Sequence, residues 1–256
     1  NTVVKLVYGD NTWLETARKD NSMRTQKAAT LVAAFCYREE DMFDYVLFDL
    51  DGTLTDPREG ITKSVQYALR KMGICEFDLT SLEHFIGPPL LDEFIRCYSF
   101  DEEQAVRAVQ YYRERFSDVG WRENILLDGV PSLLRSLKKV GKRMAIASSK
   151  PAVFVERILR LFEIEMLFDA VSGATLDGIV SSKAQVVARA LDMLDVTDGN
   201  RAVLVGDRLH DVEGAHANGV RCIGVTFGFG GRQELQNAGA DKIVSTMQEL
   251  ETALLL

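Results

Sequence analysis

Two periods organise the apolar positions of this chain. Residues 45–50 form a short apolar run that ends in Asp51-Gly52, the pattern of a buried strand that empties into a turn. Runs at 143–149, 202–206 and 221–227 share that character. The stretches between them are helical: 153–161 and 184–194 carry apolar residues on wide faces, and 212–218 reads as a short helix stopped by Gly219. Short apolar strands alternating with helices predict βαβ units, hence an α/β fold with a parallel sheet covered on both faces.

Residues 58–128 break the alternation. Ile61, Val65, Ala68, Leu69 and Met72 fall on one helical stripe, and Gly73 is a good stop. Asp101 with Gln104 three positions later predicts a capping box that opens a second helix, with Ala105, Ala108, Val109, Tyr112 and Phe116 facing inward. So much helix between the first strand and the next exceeds a simple crossover and predicts an inserted helical module. Residues 1–41 differ again. They carry no chemical motif, 28–37 has the pattern of a helical turn or two, and the segment is expected to be an N-terminal extension of uncertain role. No internal repeat or low-complexity tract is present.

Composition narrows the partners. Of 256 residues, 46% are apolar and 27% charged, the proportions of an ordinary globular protein. Acidic residues number 38 against 30 basic, a net charge of −8, and such a surface repels a phosphodiester backbone. Nucleic acid is therefore not expected as a partner, whereas a local pocket can still hold a small anion. The cysteines, at 36, 75, 97 and 222, are spread without a C-x-x-C pair. Cys75 and Cys97 could bridge, but reduced core thiols in a cytoplasmic protein are the expected state. No apolar run is long enough to span a bilayer, so no membrane partner is expected, and the chain is read as a monomer or homodimer.

Four short constellations carry chemistry. In Asp49-Leu50-Asp51-Gly52-Thr53 the two acids are two apart on a strand and converge on one side at its carboxyl end, where open α/β sheets bind ligands. Carboxylates that close are tolerated with a divalent cation between them; Asp-Gly is also ordinary turn chemistry. Gly206-Asp207-Arg208-Leu209-His210-Asp211 repeats the pattern: Asp207 would complete an oxygen-rich site, and Asp211 either joins it or simply answers a helix dipole. Ser148 and Ser149 end a third strand, where a hydroxyl and backbone N–H groups cradle phosphate or cap the following helix. Lys183 opens a helix, a poor place for a cation with respect to the dipole.

In that order, Asp-x-Asp-Gly-Thr, a strand-end serine, a lysine and Gly-Asp-x-x-x-Asp resemble the haloacid dehalogenase-like hydrolase superfamily, and within it the phosphoglycolate-phosphatase-like branch, whose helical cap follows the first motif. The resemblance implies a Rossmann-like three-layer core from residues 42–57 and 129–256, with an α-helical cap at 58–128. It implies a small phosphorylated metabolite, of phosphoglycolate or nucleoside 5′-monophosphate type, hydrolysed with Mg2+ through an aspartyl-phosphate. Asp49 would be the nucleophile and Asp51 the acid/base. Asp49, the Asp51 carbonyl and Asp207 would hold the metal, with Asp211 in support. Ser148, Ser149, Lys183, Gly52 and Thr53 would bind the phosphoryl group, with Lys150 a rival to Lys183. A β-phosphoglucomutase-like mutase and a pyrophosphatase are the enzyme alternatives, and a non-catalytic regulatory protein is the alternative of another class. Asp51 argues against a dehalogenase, whose halide leaves without a proton. Ser148-Ser149 departs from the commoner threonine-asparagine. His210 is expected on the surface, Gly228–Gly231 as a loop at the site rim, and residues 85–89 as a cap loop that selects substrate.

Overall fold

Strand β1 (Tyr45–Phe48) runs through the middle of the molecule and shows how the layers arise. Its side chains alternate: Val46 and Phe48 enter one apolar cluster, and Leu47 enters another on the opposite face. A strand with both faces apolar needs cover on both sides. The chain is seen here in a computed structural model that describes residues 43–176 and 179–255; the extension and its expected helix at 28–37 lie outside the described residues.

After β1 the chain makes a small antiparallel ribbon from β2 (Thr55–Asp56) and β3 (Ile125–Leu126). Helices α1 (Arg58–Lys71), α2 (Leu90–Tyr98) and α3 (Glu102–Asp118) lie between the ribbon's two strands, with a 3-10 turn at Thr80–Phe85. Next come α4 (Val130–Lys139), β4 (Arg143–Pro151), α5 (Ala152–Leu161), β5 (Ala170–Ala174) and α6 (Lys183–Met193). Strand β6 (Ala202–Gly206), α7 (Leu209–His216), β7 (Arg221–Val225), α8 (Arg232–Ala238), β8 (Lys242–Val244) and α9 (Met247–Leu255) close the order.

The main sheet has the order β5-β4-β1-β6-β7-β8 with all its pairs parallel. Leu133, Leu137, Val155, Ile158, Leu250 and Leu254 bring α4, α5 and α9 onto one face. Val187, Ala190, Val212, Ala215 and Leu235 bring α6, α7 and α8 onto the other. This is the three-layer α/β arrangement the pattern predicts.

The inserted helices have their own core of Ile61, Val65, Leu69, Phe85, Phe94 and Phe116. The Asp101–Gln104 capping box forms as expected, and Ala105, Ala108, Tyr112 and Phe116 are buried, with Val109 at the margin. Phe154 of α5 joins this cluster, edge-on to Phe116 at 5.1 Å. That contact seats the helical module over the carboxyl ends of the strands.

Several expectations need correction. Strands β5 and β8 and the β2–β3 ribbon were not expected; β5 reads Ala-Val-Ser-Gly-Ala, too small and polar to show an apolar run. Helix α7 begins at Leu209 rather than 212, because the Asp211 carboxylate accepts the Arg208 N–H at 2.9 Å and closes the first turn. The cysteines are not core thiols as a group. Cys222 is buried, whereas Cys75 and Cys97 are exposed and free, and Cys36 lies outside the described residues.

Candidate active site

The carboxyl ends of β1, β4 and β6 and the start of α6 meet at one point. Lys183 is the first residue of α6, held there by a capping box between Ser182 and Gln185. Its side chain turns away from the helix end and into the core. Lys183 Nζ lies 2.6 Å from Asp49 Oδ1, 2.7 Å from Asp211 Oδ1 and 3.0 Å from the Ala147 carbonyl. Burial acts to lower the lysine pKa, but Asp211 and Asp49 outweigh it and hold the ammonium above the usual lysine range. The cation unsuited to the dipole is thus the counter-charge of two motif acids.

Asp51 sits beside this group and pairs with Lys150 Nζ at 2.5 Å. Burial raises the Asp51 pKa, Lys150 opposes the rise, and Asp49 adds to it. Lys150 itself lies over the Phe116 ring at 4.9 Å. It stands at the end of β4, where the β4–β5 register shifts between Ser148 and Pro151.

Asp207 is fully buried beneath the others. Its Oδ2 accepts the Phe229 N–H at 2.6 Å. Its Oδ1 has no hydrogen-bond partner among the described residues. Burial, then the charges of Asp211 and Asp49, push its pKa well above the ordinary carboxylate value. Asp211 is raised by burial too, with Lys183 opposing. Carboxylate oxygens of Asp49, Asp207 and Asp211 lie within 4.8 Å of one another. A set of hard oxygen donors with one buried oxygen unsatisfied fits a hard divalent cation.

Backbone shape makes room for this. Gly52 has φ +81°, and a Cβ there would stand 2.3 Å from Asp207 Oδ2. A Cβ on Gly228 would stand 2.4 Å from the same oxygen. The glycine loop is therefore packed against Asp207, none of residues 228–231 lines the cavity that opens onto the site, and the partner role of Phe229 N–H has no signature in the sequence.

A cavity of about 740 Å3 opens onto the site. Asp49, Asp51, Ser148, Ser149, Lys150, Lys183 and Asp211 line its floor, while Gly52, Thr53 and Asp207 are not part of the wall. Ser148 is buried, and Thr53 Oγ1 is buried without a partner among the described residues. Phe85, Gly87, Pro88 and Pro89, together with Val106, Val109, Tyr112 and Arg113, are among the residues contributed by the helical module. Ile86 is buried, and its carbonyl accepts Arg208 Nη1 at 2.6 Å. Arg208 Nε also meets Glu234 Oε1 at 2.9 Å, a bridge with no signature in the sequence. His210 is half-exposed in the cavity wall, with Nδ1 3.7 Å from Glu213.

A parallel sheet with acids at the ends of neighbouring strands, Asp49 and Asp51 answered by lysines and Asp207 not, defines an α/β enzyme built around one carboxylate centre. The family model described as haloacid dehalogenase-like hydrolase matches residues 46–225, and the chain belongs to that family. It is 50% identical over 191 residues to a 5′-nucleotidase of Pseudomonas aeruginosa, covering 75% of this chain and 86% of that protein. It is 40% identical over 213 residues to the tyrosine-protein kinase PtkA of Mycobacterium tuberculosis, covering 82% and 72%. The crystal structure of a predicted phosphatase from Clostridium acetobutylicum superposes with a TM-score of 0.81 at 48% identity, covering 84% of this chain and 99% of that one. The chain is a phosphatase of this family. Among the described residues, no helix is long and apolar enough to cross a membrane.

Proposed function

We propose that this phosphatase is magnesium-dependent, acts through an aspartyl-phosphate, and takes nucleoside 5′-monophosphates as its substrate class. The observation that carries the mechanism is the buried group of Asp49, Asp51, Asp207 and Asp211 around Lys183, with Asp207 Oδ1 unsatisfied. Asp49, Asp207 and the Asp51 carbonyl would hold Mg2+, with Asp211 in support. The bound ion would neutralise charge between an anionic nucleophile and an anionic phosphate.

An Asp49 carboxylate oxygen attacks phosphorus. The bond to the leaving oxygen breaks with its electron pair, and Asp51 delivers its proton to that oxygen. The raised Asp51 pKa suits an acid, since it keeps the proton available. Asp51, now a carboxylate, takes a proton from water as that oxygen attacks phosphorus and frees Asp49. Acid catalysis of this kind contributes roughly 10²–10⁴-fold. Lys183 already serves three acceptors. Lys150 has Asp51 as its hydrogen-bond partner and would therefore share the phosphoryl oxygens with Ser148, Ser149, Gly52 and Thr53. The substrate class is supported by a cavity of about 740 Å3 whose module side mixes apolar residues such as Phe85, Val106 and Val109 with Arg113, and by the relative named a 5′-nucleotidase.

In domain terms, residues 58–128 would act as a cap over a core of 42–57 and 129–256. The test is phosphate release from nucleoside monophosphates, phosphoglycolate, pyrophosphate and a sugar phosphate, with and without Mg2+. Nucleoside monophosphates should lead, and Asp49→Asn should abolish release while leaving the fold intact. A fully active Asp49→Asn protein, or release indifferent to Mg2+ after chelation, overturns the mechanism. Isomerised sugar phosphate as the main product would favour the mutase.

A further inference from the structure

A second group of metal-ligating side chains lies in the helical module, apart from the carboxylate centre. His84 belongs to the 3-10 turn, and Glu93 and Cys97 stand one turn apart on α2. Cys97 Sγ is 3.1 Å from His84 Nε2 and 3.6 Å from Glu93 Oε2, and the latter two atoms are 3.9 Å apart. Bonds of about 2.0–2.3 Å to one tetrahedral Zn2+ require donor–donor edges of roughly 3.4–3.6 Å. The three observed edges bracket that span, so small side-chain movements bring all three donors onto one ion.

Two further observations bear on the site. Glu93 is a buried acid, 7% exposed, on a helix whose neighbouring residues Asp92, Ile95 and Arg96 are exposed. Its carboxylate is oriented by Arg96, with Nε 3.1 Å from Oε1 and Nη2 2.6 Å from Oε2. Outer contacts of this kind fix ligating carboxylates in metal sites. The donors also straddle one functional segment. Phe85, Gly87, Pro88, Pro89, Leu90, Leu91 and Asp92 line the cavity, and His84 immediately precedes that stretch while Glu93 follows it.

We propose that His84, Glu93 and Cys97 form a site for a thiophilic divalent transition metal such as Zn2+, and that its occupancy clamps the cavity-lining loop at both ends. The imidazole and thiolate select such ions over Mg2+, which prefers oxygen. On binding, the S–H bond breaks, its proton leaves to solvent, and sulfur donates to the metal. His84 enters neutral and Glu93 as its carboxylate. Water fills the fourth position.

The site does not depend on the phosphatase reading, so its test needs no turnover. Co2+ is the probe, added to the 256-residue chain in excess Mg2+ to occupy the carboxylate centre. The expected result is a bound Co2+ with a sulfur-to-cobalt charge-transfer band in the near ultraviolet and one proton released. The band should disappear in Cys97→Ser and persist in Cys75→Ser, and His84→Ala should weaken binding at least roughly tenfold. Hydrogen exchange over residues 85–92 should slow with metal in the wild type and not in Cys97→Ser. No band in the wild type, or a band that survives Cys97→Ser, overturns the site. A band without slower exchange overturns the clamp.

Discussion

At the scale of single residues, Asp207 is the position where structure and charge are most opposed. It is buried, repelled by Asp49 and Asp211, and has one oxygen without a partner among the described residues. In Asp207→Asn the amide oxygen can keep the Phe229 N–H, and the NH2 group takes the place of the unsatisfied oxygen facing the other acids. The variant should therefore melt higher than the wild type in chelator, by about 2–4 °C for each kcal/mol relieved. It should show no stabilisation by Mg2+. A lower melting point in chelator would mean that the buried charge is already compensated. Gly52→Ala should do the reverse: it places a methyl group at a positive φ and against the same carboxylate, so both stability and phosphate release should fall sharply, read by melting and by turnover. The acids at 49, 51 and 207 were legible in the sequence because each follows an apolar strand run, and Asp211 because it stands four residues after Asp207 at a helix start. Lys183 was legible too, but the pairings that follow were not. Lys150 meets Asp51 across 99 residues of sequence, Arg208 meets Ile86 across 122, and Phe229 answers Asp207 with a backbone N–H that any residue but proline would supply.

At the scale of elements, strands buried on both faces were legible and edge strands were not. Strand β1 and β6 read as continuous apolar runs because helices cover both sides. At one sheet edge β8 is three residues long with an exposed lysine, and β5 at the other edge is made of small residues, so neither stands out from a loop. The ribbon that joins the helical module to the core is shorter still, and an ion pair reinforces it. Arg115 at the end of α3 grips Glu123 with both Nη atoms, at 2.7 and 2.8 Å, just before β3. Arg115 holds the Glu123 carboxyl below its ordinary value. A depressed acid stabilises the fold above the unfolded pKa of about 4.3 and loses that contribution as pH falls through the folded value. Glu123→Gln should therefore melt lower at pH 7, with a loss of about 1 kcal/mol or less because the pair is partly exposed. The difference should close as the pH is taken below about 4. An unchanged gap at acid pH would assign the loss to packing instead of charge.

At the scale of the whole molecule, the helical module and the carboxylate centre line one cavity, and Arg208 is one of the side chains that tie them together. It follows Asp207 directly, so its backbone is fixed by the site. Its guanidinium spans from Glu234 in α8 to the Ile86 carbonyl in the loop above the cavity. Gly87 lets the loop approach: a Cβ there would stand 3.2 Å from Arg208 Nη1. A planar fork can serve both partners at once, whereas an ammonium serves one at a time. The reading of the helices as a cap requires them to close over substrate, and a bond made in the closed arrangement favours closure by its own worth. A charge-assisted hydrogen bond in a partly buried place is worth about 1.5–3 kcal/mol. Arg208→Ala should therefore lower kcat/KM roughly ten- to a hundredfold, with Mg2+ affinity unchanged because the metal donors stay in place. Arg208→Lys should recover part of the loss, since it can still reach one carbonyl. Limited proteolysis without substrate gives a second reading, because a cap that opens more often exposes the β2–β3 ribbon and should be cut faster in Arg208→Ala. If kcat/KM is unchanged while cleavage accelerates, the bridge stabilises the resting arrangement and closure is carried by contacts to the substrate itself.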